Sequence, residues 1–180
     1  MPELLVQIVY WLGLTAWGGA TLMLVVALPG LYAQINRHDP SLPRLLSGEL
    51  AGEHAGVLNG ILLETLAHTV LRIGGFAALM LGFAVAGRWV LAARTGMDAA
   101  GYARLGVATA LLLAASAVLI HALRTVRPKA ATATQALLEA DDDPERVEQL
   151  RTDFATAHRE LTLVIQIQLL ILLGMVLFGG

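Results

Sequence analysis

The stretch from Leu4 to Tyr32 contains no charged residue. A helix on the surface of a water-soluble domain needs a polar face, so this run excludes that role. It leaves a helix solvated by lipid, for which about 20 mostly apolar residues suffice. Leu105 to Leu123 is broken only by His121, and Leu161 to Phe178 carries Gln166 and Gln168 inside an apolar run. Ile73 to Gly87 is uncharged but short; it spans once Arg72 and Arg88 snorkel to the two interfaces. With 57% hydrophobic and 14% charged residues, the composition agrees. The sequence therefore predicts an all-α, integral membrane four-helix bundle. It forms a single membrane domain over residues 1–180, with spans at about 4–32, 70–92, 103–124 and 158–179.

The connections read as follows. Residues 36–43 ("NRHDPSLP") are turn-rich. The apolar segment 55–71 is long enough to raise a fifth membrane segment, but reads as a partly buried helical lead-in to the second span. Pro128 is expected to kink or end the third helix. Asp143 suits an N-cap and Pro144 a first helical position, and no breaker follows until Gly174. A helix from Pro144 to Phe178 is about 50 Å long, against a hydrocarbon core of about 30 Å. A helical hairpin over about 125–157 should then project from the membrane. The third helix is expected to open at 101–104, with "GMDAAG" as loop. The start lacks a basic region and its apolar stretch is too long for a signal peptide.

Charge sets the expected orientation. Arg37, Arg44, Arg124, Arg127, Lys129, Arg146, Arg151 and Arg159 fall on the hairpin side, against Arg88, Arg94 and Arg104 on the other. The richer side should be cytoplasmic, which puts both termini on the outer side of a plasma (inner) membrane. Tyr10, Trp11, Tyr32, Trp89 and Tyr102 fit the interfaces. The net charge of −2 suggests no nucleic-acid partner. With no cysteine, disulfides, thiolate metal sites and Cys nucleophiles are excluded. No phosphate-binding loop, GxSxG elbow or Ser–His–Asp order is present, so the chain is expected not to be an enzyme.

One motif stands out. Gly48, Gly52, Gly56 and Gly60 form a glycine zipper, and the same four-residue step continues to Glu64, His68 and Arg72. On a wheel of about 100° per residue, Gly75, Ala78 and Gly82 share the face of Glu64 and His68. Small residues allow close helix contacts in membranes, so this face is expected to point inward. His121 shares a face with Ala110, Ala114 and Ala117, and His158, Thr162 and Gln166 recur at four-residue steps. All five histidines, His38 and His54 included, fall on the hairpin side. Glu64, His68, His121 and His158 are therefore candidate ligands, with Arg72, Arg124, Thr162 and Gln166 as a supporting network. Three readings stay open. Imidazoles and a carboxylate suit copper, zinc or iron, and two imidazoles at equal depth suit haem b. The cluster is otherwise a structural network in an accessory subunit that packs on a membrane-protein partner or on a second copy. The third reading is a small transporter or proton path, since ionisable groups inside a membrane are functional candidates.

The third loop and last span, "LRTVRPKAATATQALLEADDDPERVEQLRTDFATAHRELTLVIQ", resemble the transmembrane protein 205-like family of small four-helix membrane proteins of largely undefined function. The matching positions are Arg127, Pro128, Leu150, Arg151, Phe154 and His158, with Trp17, Gly18, Gly19 and Pro29 in the first span. Family members often carry Ser and then Asn after the histidine; here Thr162 and Gln166 stand about one position late. The architecture is also similar to copper resistance protein D, which implies copper as a ligand.

Overall fold

A computed structural model describes residues 2–36, 51–139 and 144–178, with side chains described for 2–27, 62–137, 139 and 145–178. Helix α1 spans Pro2–Asn36, α2 Ala51–Thr95, α3 Ala99–His121, α4 Arg127–Leu138 and α5 Pro144–Phe178. Four stretches are long and apolar enough to cross a membrane: Pro2–Ala27, Leu62–Thr95, Ala99–Leu137 and Glu145–Phe178. The protein is thus an all-α integral membrane bundle. Its helices run up and down in the cyclic order α1, α2, α3, α5, with α5 closing back on α1.

Lipid explains why the chain is almost wholly helical. A backbone N–H or C=O without a partner costs several kcal/mol in hydrocarbon, and a helix satisfies all of them locally. Nothing stops such a helix at the membrane surface, so α2 runs unbroken over 45 residues, about 67 Å. Segment 55–71 is therefore continuous helix with the second span. It buries Leu63, Ala67 and Leu71 on one face.

The α2–α3 turn is short and tightly built. Gly96 takes φ +72°, the left-handed conformation that closes a helix, and its N–H bonds to Ala92 O at 3.1 Å. Asp98 then caps α3, accepting from Gly101 N at 2.8 Å. The third helix thus starts at Ala99, ahead of the expected 101–104, because Asp98 is a cap and not loop. Tyr102 Oη donates to Ala92 O at 3.2 Å and Trp89 Nε1 to Thr109 Oγ1 at 3.0 Å, pinning the turn from both sides.

The regular α-helix of the third span stops at His121, a few residues ahead of Pro128, in keeping with the expected kink or end. A five-residue π-helical segment, Ala122–Val126, carries α3 into α4 without a break. The Arg127 N–H reaches back to Ala122 O, five residues away. The wider turn relieves the clash that a proline ring makes with the carbonyl four residues earlier. α4 then folds against α5, giving the expected hairpin; its tip at 140–143, including Asp143, lies outside the described residues.

Two cores stack along the bundle. One contains Tyr10, Leu14, Trp17, Leu71, Ala77, Leu81, Leu112, Ala115, Leu172 and Met175. The other, at the hairpin end, contains Leu24, Leu63, Ala67, Val126, Ala130, Ala157, Leu161 and Ile165. Glycine draws α1 and α2 together, but at other positions than expected. A Cβ on Gly74 would stand 2.6 Å from Trp17 Nε1, one on Gly87 2.9 Å from Val6 Cγ2, and one on Gly13 3.1 Å from Leu81 Cγ. A Cβ on Gly75 or Gly82 would meet nothing within 4 Å. These two glycines are not packing positions; the close face lies one residue earlier, about 100° round the helix. Ala78 does pack against the first core. Gly48 lies outside the described residues, and Gly52, Gly56 and Gly60 lie in α2 where side-chain surroundings are not described.

The Trp17 contact predicts a sharp contrast between neighbours. Gly74→Ala should destabilise the detergent-solubilised protein by about 1–3 kcal/mol, the cost of overpacking against a buried ring. Gly75→Ala should leave thermal unfolding unchanged. Equal midpoints for the two variants would refute this packing.

Candidate functional site

The hairpin end gathers the titratable groups, because α2, α4 and α5 all run past the membrane-spanning length there. Ala130 and Ala157, both buried, let α4 approach α5 closely. His158 enters this contact and is only 8% exposed. Its Nδ1 lies 2.9 Å from Phe154 O, and its ring stacks on Phe154 with centroids 4.0 Å apart. A ring nitrogen facing a carbonyl must carry the proton, so Nδ1–H donates. In the neutral ring Nε2 is then an acceptor. Among the described residues, buried Nε2 has no protein partner, and neither has the buried Nε of Arg127 at the head of α4. On α2, half-buried His68 lies within the electric fields of Arg127, Arg72 and Glu64.

The remaining predicted residues divide. Glu64 is half-buried on the edge of α2, and Arg72 is exposed. The face of Glu64 and His68 thus flanks the core; Leu63, Ala67 and Leu71 form it. Arg124 is exposed. Thr162 donates to His158 O at 2.9 Å, so its hydroxyl is satisfied along its own helix. Gln166 is exposed, off the buried face of α5. His121 does share a face with Ala110, Ala114 and Ala117, but that face is exposed throughout. The inward face of α3 is Leu105, Ala108, Leu112, Ala115 and Leu119. Small residues were expected to mark the interior, yet the alanines of the His121 face lie outside it, and the interior mixes Ala108 and Ala115 with three leucines. His38 is outside the described residues, as is the side chain of His54.

These placements bear on a metal or haem. Among the described residues no three His, Cys, Asp or Glu side chains come close enough to hold a metal ion. His121 faces away from His158, so the two do not form a pair of axial imidazoles. Among the described residues, the candidate ligands do not gather into a site for copper, another transition metal or haem b.

Gln168, inside the apolar run of the last span, is 4% exposed, and among the described residues neither its Oε1 nor its Nε2 has a partner. The signal lay in the spacing: His158, Leu161, Ile165, Gln168, Leu172 and Met175 recur at three- and four-residue steps, which is the buried face. The four-residue series through Thr162 and Gln166 drifts off that face. Gln168 lies ten residues beyond His158, about 15 Å deeper into the bundle.

A carboxamide buried without partners weakens a fold. Replacing it with an apolar side chain of similar size, Gln168→Leu, should leave the stability of the detergent-solubilised protein unchanged or raise it, because any bonds the amide makes are to water and not to protein. Thermal unfolding reads this directly, and a lowered midpoint would mean that the amide has a firm partner. The chain matches no family model, no curated protein and no solved structure, so the chemistry of this buried face is what speaks to function.

Proposed function

We propose that the protein is a non-catalytic membrane protein of the plasma (inner) membrane that carries protons, or a small polar solute accompanied by them, along the buried face of α5. The observation that carries this reading is the series His158 to Gln168, which puts a ring nitrogen and a whole carboxamide into the bundle with no protein partner for either among the described residues. Each such group costs several kcal/mol in a dry interior. Water or a polar solute supplies the missing bonds at lower cost.

In this reading the hairpin faces the cytoplasm, where the lysines and arginines concentrate. His158 presents Nε2 to this route, since Nδ1 faces Phe154 O. Arg127 and half-buried His68 keep the mouth polar. Gln168 holds no proton itself but orients water through one acceptor and two donors. Beyond Gln168 the same face continues with Leu172 and Met175, both fully buried, so the route is closed at that point in this state.

Thiol labelling tests the route on a clean background, because the chain has no cysteine. Gln168→Cys should react with a membrane-impermeant thiosulfonate applied from the hairpin side, while Gln166→Cys, on the exposed face, should not. The reagent needs a thiolate and therefore water. In proteoliposomes, His158→Gln should abolish the dissipation of an imposed pH gradient that the unaltered protein supports. An inert Gln168→Cys, or unchanged flux in His158→Gln, would defeat the proposal.

A second reading, an accessory subunit packed on a membrane partner or on another copy of the chain, is favoured by one observation. The exposed Ala110, Ala114, Ala117 and His121 form a smooth stripe along α3, the kind of surface that helices use to meet in lipid. On that reading Ala114→Trp should shift the native mass of the membrane complex without changing the fold. An unchanged mass would remove it.

A further inference from the structure

The end of the bundle away from the hairpin holds a second polar feature, independent of the α5 series. Where α1 begins and α5 ends, the helices line an open cavity of about 340 Å³. Its polar lining is Glu3, Gln7, Arg88, Thr95 and Arg104, and Phe178 is among its apolar walls. A pocket of this size lies in the range that binds small molecules.

Arg88 is held in place from below. Its guanidinium carbon sits 4.2 Å from the centre of the Tyr10 ring. Tyr10 is fully buried and its hydroxyl donates to Met175 O at 3.1 Å. The phenol thus fixes a cationic head against the cavity wall, through a contact that strengthens as water is excluded. Depth is fixed by the next residue along. Trp89 and Tyr102 stand with ring centres 6.1 Å apart and bond through their polar tips at the α2–α3 turn. Such rings settle at the level of lipid headgroups. The cavity, lined by Arg88 and Gly101 beside these two rings, lies at that level.

We propose that this cavity binds the headgroup of an aminophospholipid. Arg88 and Arg104 take the phosphodiester, whose oxygens match the forked donors of guanidinium. Glu3 takes the primary ammonium, and Val6, Leu105 and Phe178 lead the glycerol and acyl chains toward the hydrocarbon. Two cations and one anion around one cavity complement a headgroup that carries one phosphate and one amine. A bare phosphate would leave Glu3 opposed to it.

Native mass spectrometry of the full chain, purified in detergent and offered dioleoyl phosphatidylethanolamine, phosphatidylcholine and phosphatidylglycerol in equal amounts, tests this. Phosphatidylethanolamine should be retained about tenfold over phosphatidylcholine, the scale of one charge-assisted hydrogen bond that a quaternary amine cannot make. Glu3→Gln should erase that preference, and Arg104→Gln, a change at an exposed side chain, should lower retention of all three lipids. Equal retention by Arg104→Gln and the unaltered protein would overturn the site. Preference for phosphatidylglycerol would overturn the role of Glu3. Release of bound lipid by millimolar inorganic phosphate would assign the cavity to free phosphate and overturn the lipid.

Discussion

Inside a bilayer no water stands ready to bond a stranded polar group, and this constraint organises the whole molecule. It makes every described segment but one short turn and the residue after α4 helical. It also explains small local choices. Thr21 bonds Trp17 O at 2.8 Å, Thr109 bonds Leu105 O at 2.7 Å and Thr134 bonds Ala130 O at 2.9 Å. Each hydroxyl turns back on its own helix, where in water it would face solvent. Against this background of satisfied groups, the bare atoms of His158 and Gln168 are exceptions, and exceptions of this kind call for an occupant.

The same solvent alters what holds helices together. Lipid tails are as apolar as leucine, so association depends on contact distance and shape and not on escape from water. Trp17 seated on Gly74 is the clearest case: the indole fits because α2 presents only hydrogen at that point. Val6 on Gly87 repeats the device about three and a half turns along. Two such contacts on one pair of helices fix the register of α1 on α2. That register sets where Tyr10 meets Arg88 and hence where the far cavity opens.

Much of this was legible in the sequence, and the part that was not has a physical reason. Apolar runs close to bilayer length, one of them extended by snorkelling Arg72 and Arg88, identified the four spans, and Pro144 with the acidic run before it located the start of α5. The hairpin followed from comparing helix length with membrane thickness. What a single sequence hid was which face of each span turns inward. In a soluble helix the polar stripe marks the outside, but in lipid both faces are apolar and the contrast vanishes. Small residues then became the guide. That guide worked near Ala78 and failed at Gly75, Gly82 and the Ala110–Ala117 stripe. Gly74, one position from a correct reading, shows how fine the discrimination is: the neighbouring glycines differ only in which one faces an indole. For the site, the four-residue step from His158 to Gln166 was followed where the mixed three- and four-residue step leads inward to Gln168. At Pro128 the local rule foresaw a distortion, but not its form, a π segment over Ala122–Val126 that keeps the chain helical.

The two polar ends differ in a way that bears on mechanism. At the hairpin end the buried polar atoms belong to an imidazole, a neutral amide and the Arg127 guanidinium. At the other end the groups are charges at an open cavity, Arg88, Arg104 and Glu3. Between them stand Leu172 and Met175, with Met175 O already engaged by Tyr10. The two polar ends are thus separated by a short apolar layer, and the Tyr10–Met175 bond ties α1 to α5 across it. Tyr10 also carries Arg88 on its ring, so one buried phenol both joins the two helices and seats a cation at the far cavity.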